Sequence, residues 1–320
     1  MAKFILKRLG LSLVTLLILL VIITLIPNIA PGDPARKIAG GTASPERLAS
    51  VTESLGLDDS VLTQLGNLIR DVFTLDFGEA FTKPGESVIG LVGDALWNST
   101  QLVGFALIVV LPISIGGGIL AAYKKDSWVD RTIVNGGLAL SSVPEFVSGV
   151  VLLAFLAVPI GFFKVSADAP EGASVLTQVN HMILPVLSVL TVYFGYIARI
   201  TRAGTIGALE SDYTRTAFMK GLSTPKVFRK HVLRNALQPT VAVIGTQLGY
   251  LFGGMVGLEF VFNYPGLGRL VLDSVRGADY PVLRGGVVTV ALIYMAATLG
   301  SDLLIAWMNP RSRANVGADA

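Results

Sequence analysis

Six apolar runs dominate the chain, at about Leu9–Ile26, Ser99–Tyr123, Thr132–Phe163, His181–Ile200, Ala236–Leu258 and Gly285–Met308. Each is long enough to cross the hydrocarbon layer of a bilayer, where no water satisfies backbone N–H and C=O groups, so each must be a helix. The first alone would span roughly 27 Å. Composition agrees, with 52% hydrophobic and only 15% charged residues, where soluble proteins average about 25% charged. Lys3, Lys7 and Arg8 ahead of the first run also fit a secretory leader. The run exceeds a usual leader core, however, and no small-x-small site stands near Pro27, which favours a retained span. Six spans leave both termini on one side. The reading is therefore an all-α polytopic membrane protein.

Basic residues orient it. The N-terminus, the Tyr123–Arg131 turn, the Arg199–Arg234 loop and the tail with Arg311 and Arg313 hold 16 of the 25 Lys and Arg; the longer opposite side holds 9. By the positive-inside rule both termini and the Arg199–Arg234 loop are cytoplasmic. The organisation expected is a cytoplasmic N-terminus and first span over 1–29, an external helical cap over 30–98, a five-helix core over 99–308 carrying a cytoplasmic loop at 201–235, and a cytoplasmic tail over 309–320. In the cap, Ser44 and Pro45 open a helix that ends near Gly56, and a second amphipathic run follows from about Ser60 to Phe73. Ten acids against five bases make Pro27–Asn98 acidic.

Between the fourth and fifth spans, Leu209–Pro239 is basic and too polar for lipid. Gly221 closes a first helix from about Leu209 to Lys220, and Thr224 as N-cap with Pro225 behind it opens a second. At helical spacing Tyr213, Ala217 and Gly221 share one face of the first helix. Lys226, Lys230 and Arg234 form a basic stripe on the second, and Phe228, Val232 and Ala236 an apolar one.

Chemistry of other kinds is sparse. No stretch fits G-x-x-x-x-G-K-[ST], so the chain has no ATP-binding loop of its own. With no cysteine there is no disulfide, thiolate metal site or thiol nucleophile. His181 and His231 fall on opposite sides of the membrane and cannot share a metal, and no Ser-His-Asp set lies at one depth. The ionisable groups in or beside spans are Glu145, Glu259 and Asp302, and such groups face a bundle interior or a wet cavity. Glu145, after Pro144 midway along the third run, fits either a route for a cationic amino group or a structural carboxyl at a kink. Asp302 fits a structural partner for Arg199, Arg202 or Arg311. Proline and glycine punctuate the later spans, at Pro112, Gly116–Gly118, Pro144, Pro159, Pro185, Gly249, Gly253, Gly254 and Gly257, a pattern that suits either close helix packing or helices that repack. Near the outer surface Pro265-Gly266 makes a turn, and Phe262, Tyr264 and Leu267 are placed to wedge back between helices.

The basic segment resembles the EAA loop of ABC importer permeases, in its dipeptide and oligopeptide form. The general pattern of Glu-Ala-Ala, Gly and then Ile-x-Leu-Pro is matched at Ala217, Gly221 and Leu233. It is departed from at Arg215, Thr216, His231 and Arg234. The peptide-permease form runs from Asp212-Tyr213 through Lys220-Gly221-Leu222 to Leu233-Arg234-Asn235-Ala236-Leu237. Further likeness lies in Pro31-Gly32-Asp33-Pro34, Leu55–Leu57, Asp76–Phe81, Glu259–Phe262, Pro265–Leu270 and Asp279–Val282. The resemblance is to the first of two permease subunits. It implies that Asp212, Tyr213, Ala217, Lys220, Gly221 and Leu222 form a coupling helix that sits in a cleft of an ATPase. It makes Glu145, Glu259, Phe262 and Tyr264 candidates for the pathway or gate.

The implied setting is the plasma (inner) membrane of a prokaryote. The implied partners are a second homologous permease, one or two cytoplasmic ATPases that would carry ATP and Mg, and an extracellular or periplasmic solute-binding protein. No nucleic acid and no cofactor in this chain are expected. The chain would form half the route for di- or oligopeptides or similar solutes, nickel complexes and haem-like or glycosidic cargo included, and catalyse nothing covalent. A self-contained secondary transporter or channel would show inverted repeats and paired intramembrane charges. The sequence has neither, and that reading leaves the basic loop without a purpose.

Single cysteines placed at Ser50 and Ser223 test the orientation. An impermeant thiol reagent on intact cells is expected to label Ser50→Cys and to reach Ser223→Cys only after permeabilisation; the reverse pattern inverts the topology.

Overall fold

A computed structural model describes residues 2–29, 33–40, 43–170 and 172–308. Pro31 and Gly32 of the expected Pro31–Pro34 motif, and the tail over 309–320 with Arg311 and Arg313, lie outside the described residues. The described chain is helical, with one isolated antiparallel bridge between Glu79 and Ser87. Five helices are long and apolar enough to cross a membrane, and a bent pair brings the number to as many as six.

The long helices are α1 (Ala2–Ile29), α5 (Val88–Tyr123), α8 (Val175–Leu209), α10 (Thr224–Val261) and α12 (Tyr280–Met308). The bent pair is α6 (Trp128–Ser141) and α7 (Glu145–Ala157), which meet at 100°. Between α1 and α5 lie α2 (Pro34–Ala39), α3 (Pro45–Leu55) and α4 (Val61–Thr74). The short helices α9 (Asp212–Met219) and α11 (Leu267–Arg276) follow α8 and α10 respectively. The apolar runs therefore understate the helices: α5 begins at Val88 and not near Ser99, and α10 runs without interruption from Thr224 into the fifth span. Hydropathy marks only what must avoid water, whereas helical hydrogen bonding carries on into polar sequence until a cap stops it.

Two compact units divide the described residues, one lying within 1–99 and 265–296, the other within 100–264 and 297–308. In the first, α1 buries Leu20 and Ile23 against Leu68 of α4 and Val288 of α12. Ala35, Val51 and Leu55 of α2 and α3 cluster with Tyr280 and Leu283. Capping fixes the short helices. Asp33 accepts from the backbone of Ala35 at 2.9 Å and of Arg36 at 3.3 Å, and Ser60 accepts from Thr63 at 3.2 Å. The wholly buried Asp279 accepts from the backbone of Thr82 (2.8 Å), its hydroxyl (2.7 Å) and Val282 N–H (3.3 Å). The Pro265 turn is tied to α5, where Ser99 accepts from Leu267 N–H at 2.8 Å and Asn98 donates to Pro265 O at 2.9 Å.

In the second unit α8 is the helix on which the others converge. A Cβ on Gly195 would run into the backbone of Gly137 on α6, and one on Gly118 of α5 into the carbonyl of Ala198. Ser141 on α6 donates to Val192 O at 2.6 Å, and the hydroxyls of Thr201 and Thr240 lie 3.1 Å apart across α8 and α10. Small residues thus let backbones touch, the packing that lipid-embedded helices use in place of a hydrophobic driving force.

Gly195→Val forces this contact apart. Overpacking of this kind costs about 1–3 kcal/mol, and a lowered unfolding temperature in mild detergent is the expected outcome, with Gly136→Ala, which has open space around it, as the control.

Candidate functional site

The segment after α8 is built from its caps. The hydroxyls of Ser211 and Thr214 both donate to Ala208 O at 2.7 Å, which turns the chain off the end of α8 into α9. At the other end Gly221 N–H donates to Phe218 O at 2.9 Å and Leu222 N–H to Ala217 O at 3.3 Å, with Gly221 left-handed at φ 75°. This pair of bonds is the Schellman motif, which only a residue without a Cβ adopts freely. α10 then opens at Ser223, one residue earlier than the Thr224 cap expected from sequence, with Ser223 O accepting from Lys226 and Val227 N–H at 3.0 Å each.

The faces differ from the simple helical reading. Ala217 is buried with Ala208, Val227, Val232 and Ala236, and Leu222 packs beside them. Thr214 is buried on the same side, while Asp212, Tyr213, Lys220 and Gly221 are exposed. Ala217 is therefore the foot on which α9 stands, and it does not share an outward face with Tyr213. The outward face is Tyr213, Phe218 and Met219. On α10 the buried residues are Val227 and Val232, five apart, with Phe228 only partly covered. A π-helical turn over Phe228–Val232 adds one residue there, so Val227 takes the buried place expected of Phe228, while Val232 and Ala236 of the apolar stripe are buried and Lys226, Lys230 and Arg234 of the basic stripe are exposed. Lys226, Arg229 and Lys230 remain exposed and, with Ser223 and Pro225, line an open groove of about 560 Å³.

Ion pairs that the sequence reading missed tie this region to the α5–α6 turn. Asp130 takes a two-pronged bond from Arg202, Nε to Oδ1 at 2.5 Å and Nη2 to Oδ2 at 2.6 Å. Lys125 Nζ donates to Glu210 at 2.9 Å, and that hydrogen bond holds the ammonium above its ordinary pKa. The Tyr123 and Phe228 rings stand 5.5 Å apart. Of the three arginines expected as possible partners of Asp302, Arg202 is engaged by Asp130. The available signal was Ser127-Trp128-Val129-Asp130, a capping pattern in which Ser127 does accept from Asp130 N–H at 3.3 Å.

The other expected site residues fall in two places. Glu145 opens α7 directly after the bend and is half-buried; a Cβ on Gly254 of α10 would sit 2.9 Å from its Oε1. Glu259, Phe262 and Tyr264 lie at the far end of α10 and are all buried, the two aromatics within the main core cluster of the unit. Phe262 O accepts from Ala167 N–H at 2.7 Å, and Asn263 donates to Ser166 Oγ at 3.2 Å. His181 holds the same strand of chain through its Nδ1 contact with Ser166 O at 2.7 Å. At this end of α10 Phe262 and Tyr264 are thus packed into the core. A partly open apolar crevice among α5, α8 and α10, bordered by Val110, Val189, Tyr193 and Gln247, holds about 20 Å³, room for roughly one water molecule.

Residues 114–314 match the family described as binding-protein-dependent transport system inner membrane component, and residues 1–115 match its N-terminal counterpart. A probable peptide ABC transporter permease protein of Sinorhizobium fredii is 34% identical over 314 residues, covering 98% of this chain and 100% of that one. The glutathione transport system permease protein GsiC of Salmonella typhimurium is 36% identical over 317 residues, covering 98% and 99%. Among solved structures, that of an amino acid ABC transporter with histidines aligns over 69% of this chain and 94% of its own, at 18% identity and a TM-score of 0.48.

The buried foot and the exposed face of α9 separate experimentally. Ala217→Leu overfills the cluster beneath the helix and is expected to cost about 1–3 kcal/mol, read as a lower unfolding temperature of the purified chain. Met219→Glu, on a side chain 80% exposed, is expected to leave that temperature unchanged.

Proposed function

Because the chain belongs to the family of inner membrane components of binding-protein-dependent transport systems, we propose that it is the first of two permease subunits in an importer of di- or oligopeptides or of a peptide-like solute such as glutathione. It is a permease subunit of an ABC importer. The finer reading, a peptide-type solute, draws support from relatives named for peptide and glutathione transport that align with it from end to end.

The observation that carries the mechanism is α9. This short helix is footed on Thr214 and Ala217, locked at its end by Gly221, and turned outward with Tyr213, Phe218 and Met219. Such a helix transmits a push because its base is packed and its caps are closed, so force applied to the outer face moves the ends of α8 and α10. The occupant of that face in this reading is a cytoplasmic ATPase, one fused chain or two, which holds ATP and Mg and performs the hydrolysis. The permease itself catalyses no covalent step. Asp212, Tyr213, Lys220 and Gly221 offer the docking contacts, with Ala217 and Leu222 as their support.

The membrane is the plasma (inner) membrane of a prokaryote, with both termini and α9 on the cytoplasmic side and a solute-binding protein delivering cargo at the other. In this reading solute does not travel inside one chain. A second, homologous permease would supply the other wall. Glu145, half-buried at the start of α7, is the candidate group to meet a cationic amino terminus on that wall, and the buried Phe262 and Tyr264 are the candidate outer gate.

Reconstitution with the partner subunits in proteoliposomes tests this. ATP-dependent uptake of labelled dipeptide or glutathione is the expected result; uptake without ATP, or driven by an ion gradient, would overturn it. Met219→Glu is expected to cut transport at least tenfold while the chain still inserts. Glu145→Gln is expected to weaken uptake of solutes with a free amino group more than that of N-acetylated ones, and equal loss for both would return Glu145 to a structural role.

A further inference from the structure

The turn between α5 and α6 is fixed to the segment that carries α9 by three contacts of different chemistry. The carboxylate of Asp130, nearly buried, is bound on both oxygens by the guanidinium of Arg202, and its Oδ2 also accepts from Asp126 N–H at 2.8 Å. Asp126 itself is left-handed at φ 65°, so the turn is wound around that carboxylate. One step along, Lys125 reaches Glu210 at the junction of α8 and α9, and Tyr123 stacks obliquely on Phe228 in the first turns of α10. The turn thus grips the chain both before and after α9.

A two-pronged, charge-assisted pair has a fixed orientation as well as strength, and a buried ion pair is weak evidence for stability. Resting on the transporter reading above, we propose that Asp130 and Arg202, backed by Lys125–Glu210 and Tyr123–Phe228, form a strut that makes the α5–α6 turn move as one body with the end of α8. Displacement of α9 is then passed to α6, the first arm of the broken span, and the bend before Glu145 takes up the difference. Asp130 and Arg202 are positioning residues: they touch neither solute nor nucleotide.

The chain has no cysteine, so spin labels can be placed on Trp128→Cys, at a side chain 77% exposed on α6, and on Lys230→Cys, exposed on α10. Neither belongs to the outward face of α9. In the assembled complex with its ATPases, the distance between the labels is expected to be the same without nucleotide and with a non-hydrolysable ATP analogue. In Asp130→Asn, nucleotide is expected to bring out a second distance, and in the milder Arg202→Lys, which keeps the charge but loses the fork, a smaller fraction of it. Asp130→Glu, which preserves the charge, is expected to restore the single distance. A nucleotide-dependent change in the parent overturns the strut, as does a single unchanged distance in both Asp130→Asn and Arg202→Lys. If no nucleotide-hydrolysing subunit assembles with the parent chain, the transporter reading falls and takes the strut with it; assembly with unaltered variants removes the strut alone.

Discussion

Backbone contact without intervening side chains governs the larger of the two units. Along α8, Ala198 meets α5 at Gly118, Gly195 meets α6 at Gly137, and Gly204 meets α10 at Ala236. Lipid offers these helices no hydrophobic reason to associate, so close dispersion contact and a few buried hydroxyl bonds must hold them. Thr201 with Thr240 and Ser141 with Val192 supply such bonds at the same crossings. Every later feature hangs from this arrangement, since the segment around α9 is anchored to α8 at one end and to α10 at the other.

Much of this was legible in the sequence because membranes simplify the problem. A run of apolar residues in lipid has one backbone solution, so five of the spans followed directly, while the third run folded as a pair of helices bent by 100°. Caps were also readable where the residue type carries the mechanism, as with Gly221 ending α9, while the caps at Asp33 and Ser223 were not read. What escaped were relations between distant parts. Asp130 and Arg202 are far apart in the chain, and each has an innocent explanation as a loop charge. Ala217 was read as an outward docking residue because its small size suits an intermolecular contact as well as an internal one; only the packed cluster beneath it decides between the two. The α10 stripes held except at Phe228, where Val227 is the buried residue instead, since periodicity assumes the very hydrogen-bond register that the π turn changes.

Rigidity and compliance are unevenly distributed in the second unit. The base of α9 and the α5–α6 turn are held by caps, buried hydroxyls and a forked ion pair. The junction of α6 and α7, by contrast, has a Ser-Val-Pro break at a right-angled bend, with Pro144 unable to donate a backbone hydrogen bond. The one half-buried carboxylate of that span, Glu145, sits at the compliant point and not at a rigid one.

The π-helical turns at Thr132–Gly136, Leu153–Ala157 and Phe228–Val232 each hold one residue more than an α turn would. Such a residue acts as a phase shifter. It rotates everything beyond it by about 100° relative to a continuous α-helix, so the face shown to lipid and the face shown to water on one helix need not be in step. In α10 this means that the cationic rim near Lys226 and the membrane-buried side of the same helix answer to separate demands. A substitution that straightened Phe228–Val232 into an ordinary α turn at unchanged length would swing the rim by about 100°, whereas a single-residue deletion there would remove the turn and leave the rim facing as it does.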